Sequence, residues 1–249
     1  MSFQDVAIEL PAPKPLRLRD SALFLDLDGT LAPIASRPQD VRPDPRRTSL
    51  LERLAHGLNG RLAVISGRTL ADVDRILEGR VVAVAAVHGL ILRDPQGRLA
   101  ETPRHPGVES AVADLRAFAA RDSGLIVEEK GLSVALHFRL AGRQAEAARA
   151  CAREIAARTG LALQEGDMVE ELRTPGPSKG DSVRAFMKLP PFAGAAPVFV
   201  GDDATDEAGF DAVRALGGIG VAVGNHRAVS AGYRLANVEA ALVWLEAAL

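Results

Sequence analysis

The stretch LFLDLDGTL, residues 23–31, joins an apolar run to two carboxylates and a glycine turn. Its first half has the nearly continuous apolar character of a buried strand in a parallel sheet. Because strand side chains alternate, Asp26 and Asp28 point the same way, about 7 Å apart along the chain. Two like charges so close repel each other unless a cation compensates them, and Mg²⁺ prefers such oxygen ligands. The stretch therefore predicts a ligand or metal site where the first strand ends, although Asp-Gly-Thr is also good turn chemistry.

Similar apolar runs alternate with helical patterns towards both ends of the chain. RLAVIS (61–66) and VVAVAAVHG (81–89) follow the first run, and APVFVGDD (196–203) and GIGVAVG (218–224) come near the carboxyl end. Strands separated by crossover-length helices indicate a parallel sheet with helices packed on both faces. Ligands bind at the carboxyl edge of such a sheet. The sequence therefore predicts an α/β core whose site lies where LFLDLDGTL ends.

The middle of the chain has a different texture, because two pairs of short strands each follow a helical pattern. The order helix, hairpin, helix, hairpin indicates an inserted α+β domain with an antiparallel sheet. The stretches ETPRHPG and RTPGPSKG at its ends contain the prolines and glycines that are typical of domain linkers. We therefore predict a leader over residues 1–20, a core domain over 21–103 and 177–249, and an inserted cap domain over 104–176.

Composition limits the classes of partner. A net charge of −2 gives no basic field for holding nucleic acid. The one cysteine, Cys151, excludes an internal disulfide and suits a reducing cytoplasm. No stretch approaches the roughly 20 apolar residues of a membrane span, and the amino terminus lacks a signal pattern. We therefore expect a cytoplasmic protein without nucleic-acid or membrane partners; the oligomeric state stays open, with a monomer favoured.

Further polar groups stand where predicted helices begin. Ser66, Gly67 and Arg68 end the second strand, and hydroxyl and backbone N–H groups at a helix start form an anion site. Lys179 also stands at a helix start, where the helix dipole disfavours a cation unless an anion binds nearby. Taken singly, Ser66 is also explained as a helix cap. Taken singly, Lys179 is better explained as a solvated side chain.

A cluster of acids follows the strand APVFVGDD. Asp202, Asp203, Asp206 and Glu207 lie within six residues, and such a cluster is costly unless a metal or a helix dipole offsets the charge. The alternative is a solvated helix start with a favourable dipole. The cluster therefore predicts metal ligands at the same edge of the sheet, with a helix cap as the competing explanation.

In their order along the chain, DLDGTL, SGR, a lysine and GDDATDE resemble the four motifs of the haloacid dehalogenase superfamily of aspartyl phosphatases. The resemblance implies a Rossmann-like core, with Asp26 as nucleophile and Asp28 as general acid and base. The implied Mg²⁺ ligands are Asp26, the carbonyl of Asp28 and Asp202, with Asp203 or Asp206 in an outer role. The groups implied to bind the phosphoryl oxygens are Thr30, Ser66, Gly67 and Lys179. Asp28 argues against dehalogenation, because relatives that cleave carbon–halogen bonds lack it.

The inserted domain resembles the cap of trehalose-6-phosphate phosphatases. The similar stretches are VHGLIL (87–92), VEEKGLSVALHFR (127–139) and VEELRTPGPSKGDSV (169–183). The resemblance implies that charged groups on alternating strands face a sugar phosphate across the cleft. The implied substrate-binding residues are Arg68, His88, Glu128, Lys130, His137, Arg139 and Glu171. Val87 departs from the family pattern, because an acidic residue more commonly precedes the histidine.

Several cap residues have a competing explanation. Lys130 is also explained as a turn lysine beside Gly131, and Arg139 with Glu128 as a cross-strand surface pair of little energetic worth. His137 is also explained as a half-buried sheet histidine, and His88, at the end of the third strand, as a residue that stabilises a turn. The choice between Glu170 and Glu171 depends on strand register. We expect solvated faces for Glu129, Glu165, Glu170 and Arg173.

The first functional hypothesis is a Mg²⁺-dependent trehalose-6-phosphate phosphatase that releases trehalose and inorganic phosphate. A phosphatase for sucrose phosphate, or for mannosyl- or glucosyl-phosphoglycerate, is the alternative enzyme, because only the cap distinguishes these activities. A catalytically silent sugar-phosphate-binding module is the alternative from another class. Asp26 and Asp28 argue against a silent module, since a binding site gains nothing from a nucleophile that faces a phosphate.

Overall fold

The computed structural model describes residues 10–225 and 228–249, so the first nine residues of the predicted leader lie outside it. The strands, in chain order, are β1 (Ser21–Leu25), β2 (Leu62–Ile65), β3 (Ala83–Ala86), β4 (Ile91–Arg93), β5 (Leu99–Glu101), β6 (Ile126–Glu129), β7 (Ser133–His137), β8 (Ala162–Gly166), β9 (Val169–Arg173), β10 (Ala196–Gly201), β11 (Ile219–Val223) and β12 (Tyr233–Leu235). The α-helices are α1 (Pro45–Gly57), α2 (Leu70–Leu77), α3 (Gly107–Ala119), α4 (Ala145–Thr159), α5 (Lys179–Phe186), α6 (Glu207–Ala215) and α7 (Val238–Glu246). None of these helices is long and apolar enough to cross a membrane.

The larger sheet has the strand order β12-β11-β10-β1-β2-β3-β4-β5, and its strands are parallel from β12 to β3. β1 lies inside the sheet, where Leu25 pairs with Val200 of β10 and Val64 of β2. Its side chains are all buried, because helices cover both faces. Leu23 packs on the side of α1, α2 and α7, whereas Phe24 packs on the side of α5 and α6. The prediction of an α/β core with a parallel sheet and helices on both faces is confirmed.

Three short strands of the structure are not predicted from the sequence. β4 and β5 extend the sheet as an antiparallel hairpin beside β3, and β12 adds a parallel strand beside β11. Each has three residues, which is too short for an alternating pattern to stand out. All three lie at the edges of the sheet, away from the end of β1.

The second sheet has the order β6-β7-β9-β8 and is antiparallel throughout. Val134, Leu136 and Leu172 point to one face, where α3 and α4 complete a separate hydrophobic core. Because side chains alternate along a strand, Ser133 and Glu171 point to the opposite face. The prediction of an inserted α+β cap domain with an antiparallel sheet is confirmed. Its helices and strands span residues 107–173, inside the predicted limits of 104–176.

Residues 10–20 contain no helix or strand, and they pack on the core. Leu16 is buried, and Trp244 Nε1 donates a hydrogen bond to the backbone carbonyl of Lys14 at 2.9 Å. The backbone N–H of Arg234 donates to the carbonyl of Pro11 at 3.0 Å. The described part of the leader is therefore held against α7 and β12, because its apolar side chains and carbonyls find partners there.

Candidate active site

Asp26 follows β1 directly, at the carboxyl edge of the parallel sheet, and is buried. Its backbone N–H donates to the carbonyl of Val200 at 2.9 Å, so the sheet register sets its position. Lys179 Nζ lies 2.9 Å from Asp26 Oδ1 and 2.7 Å from Asp206 Oδ1. Ser178 caps α5, which begins the helix at Lys179 and directs the lysine into the site. The explanation of Lys179 as a solvated side chain is therefore wrong, because the side chain is buried between two carboxylates.

The charges of this group depend strongly on one another. Burial, with the neighbouring Asp206 and Asp202, raises the pKa of Asp26 well above its ordinary value against the opposing effect of Lys179. Burial beside Asp206 and Asp203 raises the pKa of Asp202 to about 8. Although burial disfavours its charge, the carboxylates of Asp206 and Asp26 raise the pKa of Lys179 well above the usual range. When all three acids are ionised, the group has more negative charge than Lys179 alone compensates, which is why their pKa values are raised.

Three carboxylates converge at this edge of the sheet. The nearest side-chain oxygens of Asp26, Asp202 and Asp206 lie within 4.8 Å of one another. Thr30 Oγ1 donates to Asp202 Oδ1 at 3.2 Å and so orients it. Gly29 has a φ of +80°, and a methyl group there would lie 2.0 Å from the Asp202 carboxylate, so this close approach requires glycine. A hard divalent cation prefers such an oxygen-only set of ligands, and these residues fit one.

Asp203 and Asp206, the two candidates for an outer role at the metal, have different partners. Asp203 accepts hydrogen bonds from the backbone N–H and the hydroxyl of Thr205, at 2.7 and 2.6 Å, and caps a short 3₁₀ turn. Asp206 accepts the backbone N–H groups of Asp202 and Asp203, at 2.9 and 3.1 Å, through the oxygen that does not bind Lys179. Only Asp206 joins the carboxylate group, because the Asp203 carboxylate is used by the turn.

Asp28 and Arg68 form a bidentate ion pair beside this group. Arg68 Nε and Nη2 donate to the two oxygens of Asp28 at 2.6 and 2.7 Å, and Nη1 donates to the carbonyl of Pro38 at 2.9 Å. The Asp28 carboxylate therefore lies outside the metal group, and only its carbonyl remains for the predicted metal contact. The hydroxyl of the buried Ser66 accepts the backbone N–H of Arg68 at 3.3 Å. Arg68, predicted to bind substrate, holds the predicted acid and base in this structure.

The cap reaches the site through Glu171 and Lys130. Lys130 Nζ donates to Glu171 Oε2 at 2.6 Å and to the backbone carbonyl of Gly67 at 2.9 Å. Ser133 Oγ donates to Glu171 Oε1 at 2.6 Å, and His88 Nε2 lies 3.3 Å from Oε2. Although burial opposes it, Lys130 and His88 lower the pKa of Glu171, so this side chain is an anion. Lys130 does stand in the turn between β6 and β7, beside Gly131, but its ammonium group is buried against Glu171.

The other predicted cap groups lie on the same face of the antiparallel sheet. His137 Nε2 is 2.7 Å from Glu128 Oε2, and Lys130 Nζ is 3.8 Å from the same oxygen. Arg139 Nη2 donates to Asp167 Oδ2 at 2.9 Å. The explanation of Arg139 and Glu128 as a surface pair is wrong, since each has a different partner.

Most of the predicted residues line one cavity of about 180 Å³ between the sheet edge and the cap. The lining residues among them are Asp26, Asp28, Ser66, Gly67, Arg68, His88, Glu128, Lys130, His137, Arg139, Glu171, Lys179, Asp202 and Asp203. Thr30 and Asp206 instead hold Asp202 and Lys179 in place. A wider groove of about 740 Å³ meets this cavity at Ile34, Asp167, Asp202 and Asp203.

Several lining residues of the cavity are not predicted from the sequence, among them Ser36, Pro38, Asp167 and Thr205. They stand in loops or turns, where no periodic pattern indicates which way a side chain points. Ser133 was also missed, although its place two residues before Ala135 on a strand facing Glu171 indicates the same face. Loop positions of this kind are set by tertiary contacts.

The sequence model of the family described as Trehalose-phosphatase matches residues 24–239. The chain belongs to the trehalose-phosphatase family. It is 40% identical over 205 residues to a probable trehalose-phosphate phosphatase of Sinorhizobium fredii, covering 82% of this chain and 77% of that protein. It is 39% identical over 228 residues to a trehalose-6-phosphate phosphatase of Escherichia coli, covering 90% of this chain and 85% of that protein. A solved trehalose-6-phosphate phosphatase related protein matches with a TM-score of 0.76 at 27% identity, covering 90% of this chain and 95% of that one.

Two charged residues of this chain are buried where the sequence predicts solvated faces. Glu170 is 1% exposed, with Arg149 Nε of α4 at 3.4 Å, and burial together with Glu165 raises its pKa. Arg173 is 6% exposed and donates to the carbonyl of Pro177, and burial lowers its pKa. These two predictions are wrong, because α4 and the segment after β9 cover the strand on which both residues stand.

Proposed function

We propose that this chain hydrolyses trehalose 6-phosphate to trehalose and inorganic phosphate through an aspartyl-phosphate intermediate. The observation that carries the proposal is the buried Asp26 carboxylate, 2.9 Å from Lys179 Nζ, on a cavity whose opposite wall is the cap. A carboxylate that lines a cavity beside a lysine ammonium is suited to attack an anionic phosphoryl group. The names of the bacterial relatives support the same reaction.

In the first step, an Asp26 oxygen attacks phosphorus. A new bond joins that oxygen to phosphorus, and the bond from phosphorus to the sugar oxygen breaks. Lys179, the Ser66 hydroxyl and the Gly67 amide hold the phosphoryl oxygens, and positive charge there stabilises the transition state. The leaving sugar oxygen takes a proton from the carboxylic acid of Asp28.

In the second step, the Asp28 carboxylate takes a proton from water, and the water oxygen attacks phosphorus. The bond between phosphorus and Asp26 breaks, which releases inorganic phosphate and restores both carboxyl groups. In this structure Arg68 donates to both oxygens of Asp28. Protonation of Asp28 for the first step therefore requires that at least one of these hydrogen bonds loosens.

We propose that the divalent cation is Mg²⁺, held by Asp26, the carbonyl of Asp28 and Asp202, with Asp206 behind them. The convergence of three carboxylates within 4.8 Å supports this assignment, because their ionised forms need more positive charge than Lys179 supplies. When bound, Mg²⁺ supplies positive charge beside the phosphoryl oxygens. Asp206 also keeps Lys179 next to Asp26, so it contributes to the site whether or not it touches the ion.

The cap supplies the groups that recognise the sugar. Glu128, Lys130, His137, Arg139 and Glu171 present charged donors and acceptors to one cavity, as a molecule with many hydroxyl groups requires. The cavity of about 180 Å³ is smaller than the roughly 300–1,000 Å³ of sites for drug-sized ligands. We infer that the second sugar ring extends towards the wider groove at Ile34 and Asp167.

We also propose that the chain works as a cytoplasmic monomer whose partner is the sugar phosphate. The single cysteine and the net charge of −2 support the compartment and the absence of a nucleic-acid partner. Size-exclusion chromatography with light scattering tests the oligomeric state. A mass of one chain supports the monomer, and a mass of two chains overturns it.

The direct test is phosphate release from trehalose 6-phosphate, sucrose 6-phosphate, glucose 6-phosphate and a glucosyl-phosphoglycerate, measured side by side with Mg²⁺ and with a chelator. We expect the highest kcat/KM for trehalose 6-phosphate and loss of activity on chelation. Faster turnover of another ester keeps the core chemistry and overturns the substrate assignment. Binding of trehalose 6-phosphate without phosphate release indicates a silent module.

A further inference from the structure

The turn that carries His88 is strained. Val87 and His88 have φ values of +48° and +57°, and Gly89 follows with +107°. Residues other than glycine, above all β-branched residues such as valine, rarely adopt a positive φ. Where they do, contacts with the surrounding structure hold the strained backbone in place. The backbone N–H of Val87 donates to the backbone carbonyl of Arg68, and the backbone N–H of His88 donates to the backbone carbonyl of Ser66, both at 2.9 Å. The strained turn is therefore bonded to the segment that follows β2.

The imidazole ring of His88 lies against Gly67. A methyl group on Gly67 would come within 2.5 Å of both Nε2 and Cε1 of the ring, which is closer than any real contact allows. Only glycine at this position leaves room for the ring. The strained turn and the absence of a side chain at Gly67 together place the ring of His88 on the core, at the edge of the catalytic cavity.

The ring meets the cap at that position. His88 Nε2 lies 3.3 Å from Glu171 Oε2, and both residues are at least nine-tenths buried. Because Glu171 is an anion, Nε2 carries the proton of this hydrogen bond. The other side-chain partners of Glu171 in the described part of the chain, Lys130 and Ser133, belong to the cap. Among these three hydrogen-bond partners of Glu171, His88 is the one that belongs to the core.

A second bond between cap and core forms at the same place. Lys130 Nζ donates to the carbonyl of Gly67 at 2.9 Å while it binds Glu171 at 2.6 Å. Gly67, His88, Lys130 and Glu171 thus form one connected cluster, the latch. Among the described residues, neither ring nitrogen of His88 is hydrogen-bonded to Asp26 or Asp28, and Nδ1 has no partner. The contacts of His88 are those of a residue that holds the cap.

We infer that His88 is a positioning residue: its ring, held by the strained turn and by Gly67, docks the cap on the core through Glu171. This inference rests on the proposed function in one respect, because Lys130 and Glu171 are the groups proposed to bind the sugar. Without the His88 contact, the cap loses the core partner that orients Glu171. The reacting phosphate remains with Asp26 and Lys179, which His88 does not hold.

The first test is the substitution His88→Asn. Asparagine tolerates a positive φ, so the turn is preserved, but its shorter side chain does not reach Glu171. We expect kcat/KM for trehalose 6-phosphate to fall about tenfold or more, because small misplacements of binding groups are costly. We expect hydrolysis of p-nitrophenyl phosphate, which makes few cap contacts, to change by less than about threefold. The control is His56→Asn, an exposed histidine on α1 that should change neither rate.

An equal loss with both phosphate esters overturns the inference, because it places His88 in the chemistry of the core. Unchanged kinetics with both esters also overturns it. A readout independent of activity is the distance between spin labels at Ala147→Cys on α4 and Val243→Cys on α7, in a Cys151→Ser background. Both labelled positions are exposed. We expect His88→Asn to broaden this distance distribution or shift it to longer distances.

The second test uses Gly67→Ala with the same spin labels. In the chain with His88, the new methyl group displaces the ring, so we expect the cap to undock. In the His88→Asn chain the ring is absent, so the same substitution should change the distance distribution little further. If the effects of Gly67→Ala and His88→Asn on the label distances are additive, the contact between Gly67 and the His88 ring does not hold the cap. If trehalose 6-phosphate is not a substrate at all, the proposed function fails, whereas the label distances still decide the role of His88.

Discussion

At the scale of single residues, the site depends on carboxylates that are costly to bury. Burial and the neighbouring Asp206 and Asp202 raise the pKa of Asp26, and Lys179 offsets part of this cost. Loss of Lys179 would leave these buried carboxylates without a compensating charge, whereas loss of one carboxylate leaves Lys179 paired with the other. The chain keeps this arrangement because the same carboxylate serves as the proposed nucleophile.

The substitution Asp26→Asn tests the nucleophile. The amide keeps the shape of the side chain but does not attack phosphorus, so we expect kcat for phosphate release to fall at least about 10³-fold. Lys179 keeps its bond to Asp206, so the free energy of unfolding should change by less than about 1 kcal/mol. The control is Asp211→Asn on the exposed side of α6, which should leave both quantities unchanged. More than a tenth of the original activity in Asp26→Asn is incompatible with an aspartyl-phosphate.

At the scale of elements, helix starts and strand ends position the chemistry. α5 begins at Lys179 because Ser178 and Asp181 form a capping box at its first turn. Alternation along β9 sends Glu171 to the catalytic cavity and Glu170 to the helices behind the sheet. The function of each side chain therefore depends on where its helix begins or on the register of its strand.

The N-cap residue of helix α5, Ser178, gives a stability prediction. Ser178→Ala removes the hydroxyl that accepts the N–H of Asp181, which should lower the free energy of unfolding by about 1 kcal/mol. Asp44→Ala, which removes the equivalent N-cap of α1, a helix that contributes no residue to the cavity lining, should cost a similar amount. Only Ser178→Ala should also lower kcat, by about threefold or more, because α5 aims Lys179. Denaturant unfolding and phosphate release measure the two effects; an equal effect of both variants on kcat is evidence against this role of α5.

Arg139, which follows β7, gives a specificity prediction. Its guanidinium group lines the cavity and is free to exchange Asp167 for a sugar hydroxyl. Arg139→Ala should lower kcat/KM for trehalose 6-phosphate about tenfold, the cost of a hydrogen bond from a charged group, and leave p-nitrophenyl phosphate unaffected. Arg143→Ala removes a matched exposed arginine of the cap that binds Asp122, and should change neither rate. An unchanged kcat/KM in Arg139→Ala removes this residue from the substrate site.

At the scale of the whole molecule, two independent cores meet at one polar interface. The cap has its own hydrophobic cluster, and its polar sheet face covers the carboxyl edge of the parallel sheet. Interfaces of this kind between domains are typically mobile. Substrate entry and release therefore require the polar contacts of the cap to open while both cores stay folded.

The acidic site makes the stability of the whole chain depend on pH and metal. The pKa of Asp202 is about 8 in the folded chain, against about 3.9 unfolded, and that of Asp26 is also raised. The folded state therefore binds more protons between these values, so stability of the metal-free chain should fall as pH rises from about 4 to about 8. Mg²⁺ compensates the ionised carboxylates, so the stabilisation that it provides should grow over the same range.

Thermal unfolding at pH 5.5, 7.0 and 8.5, with Mg²⁺ and with a chelator, measures this dependence. We expect the difference in melting temperature between the two conditions to increase with pH. The same series with Asp202→Asn is the control, and its difference should be smaller and less dependent on pH. A difference that is constant or decreases with pH contradicts a metal site built on these carboxylates.

The sequence by itself determined the α/β core, the inserted α+β cap and the family. Long apolar strands and amphipathic helices have periodicities that depend only on neighbouring residues, so they are readable without coordinates. The resemblance to the family assigned Glu171 and not Glu170 to the site, although strand alternation alone left that choice to the register. The order of the four motifs then indicated the phosphatase chemistry at Asp26 and Asp28.

Only the tertiary structure decided which partner each charged group has. The pairs Arg68 with Asp28, Lys179 with Asp206 and His88 with Glu171 join residues that are far apart in the chain. No local pattern encodes such pairs, because they arise when separate strand ends and the cap are brought to one edge. The burial of Glu170 and Arg173, and the strained turn at His88, were decided in the same way: packing between distant elements overrides local preference where it offsets the cost.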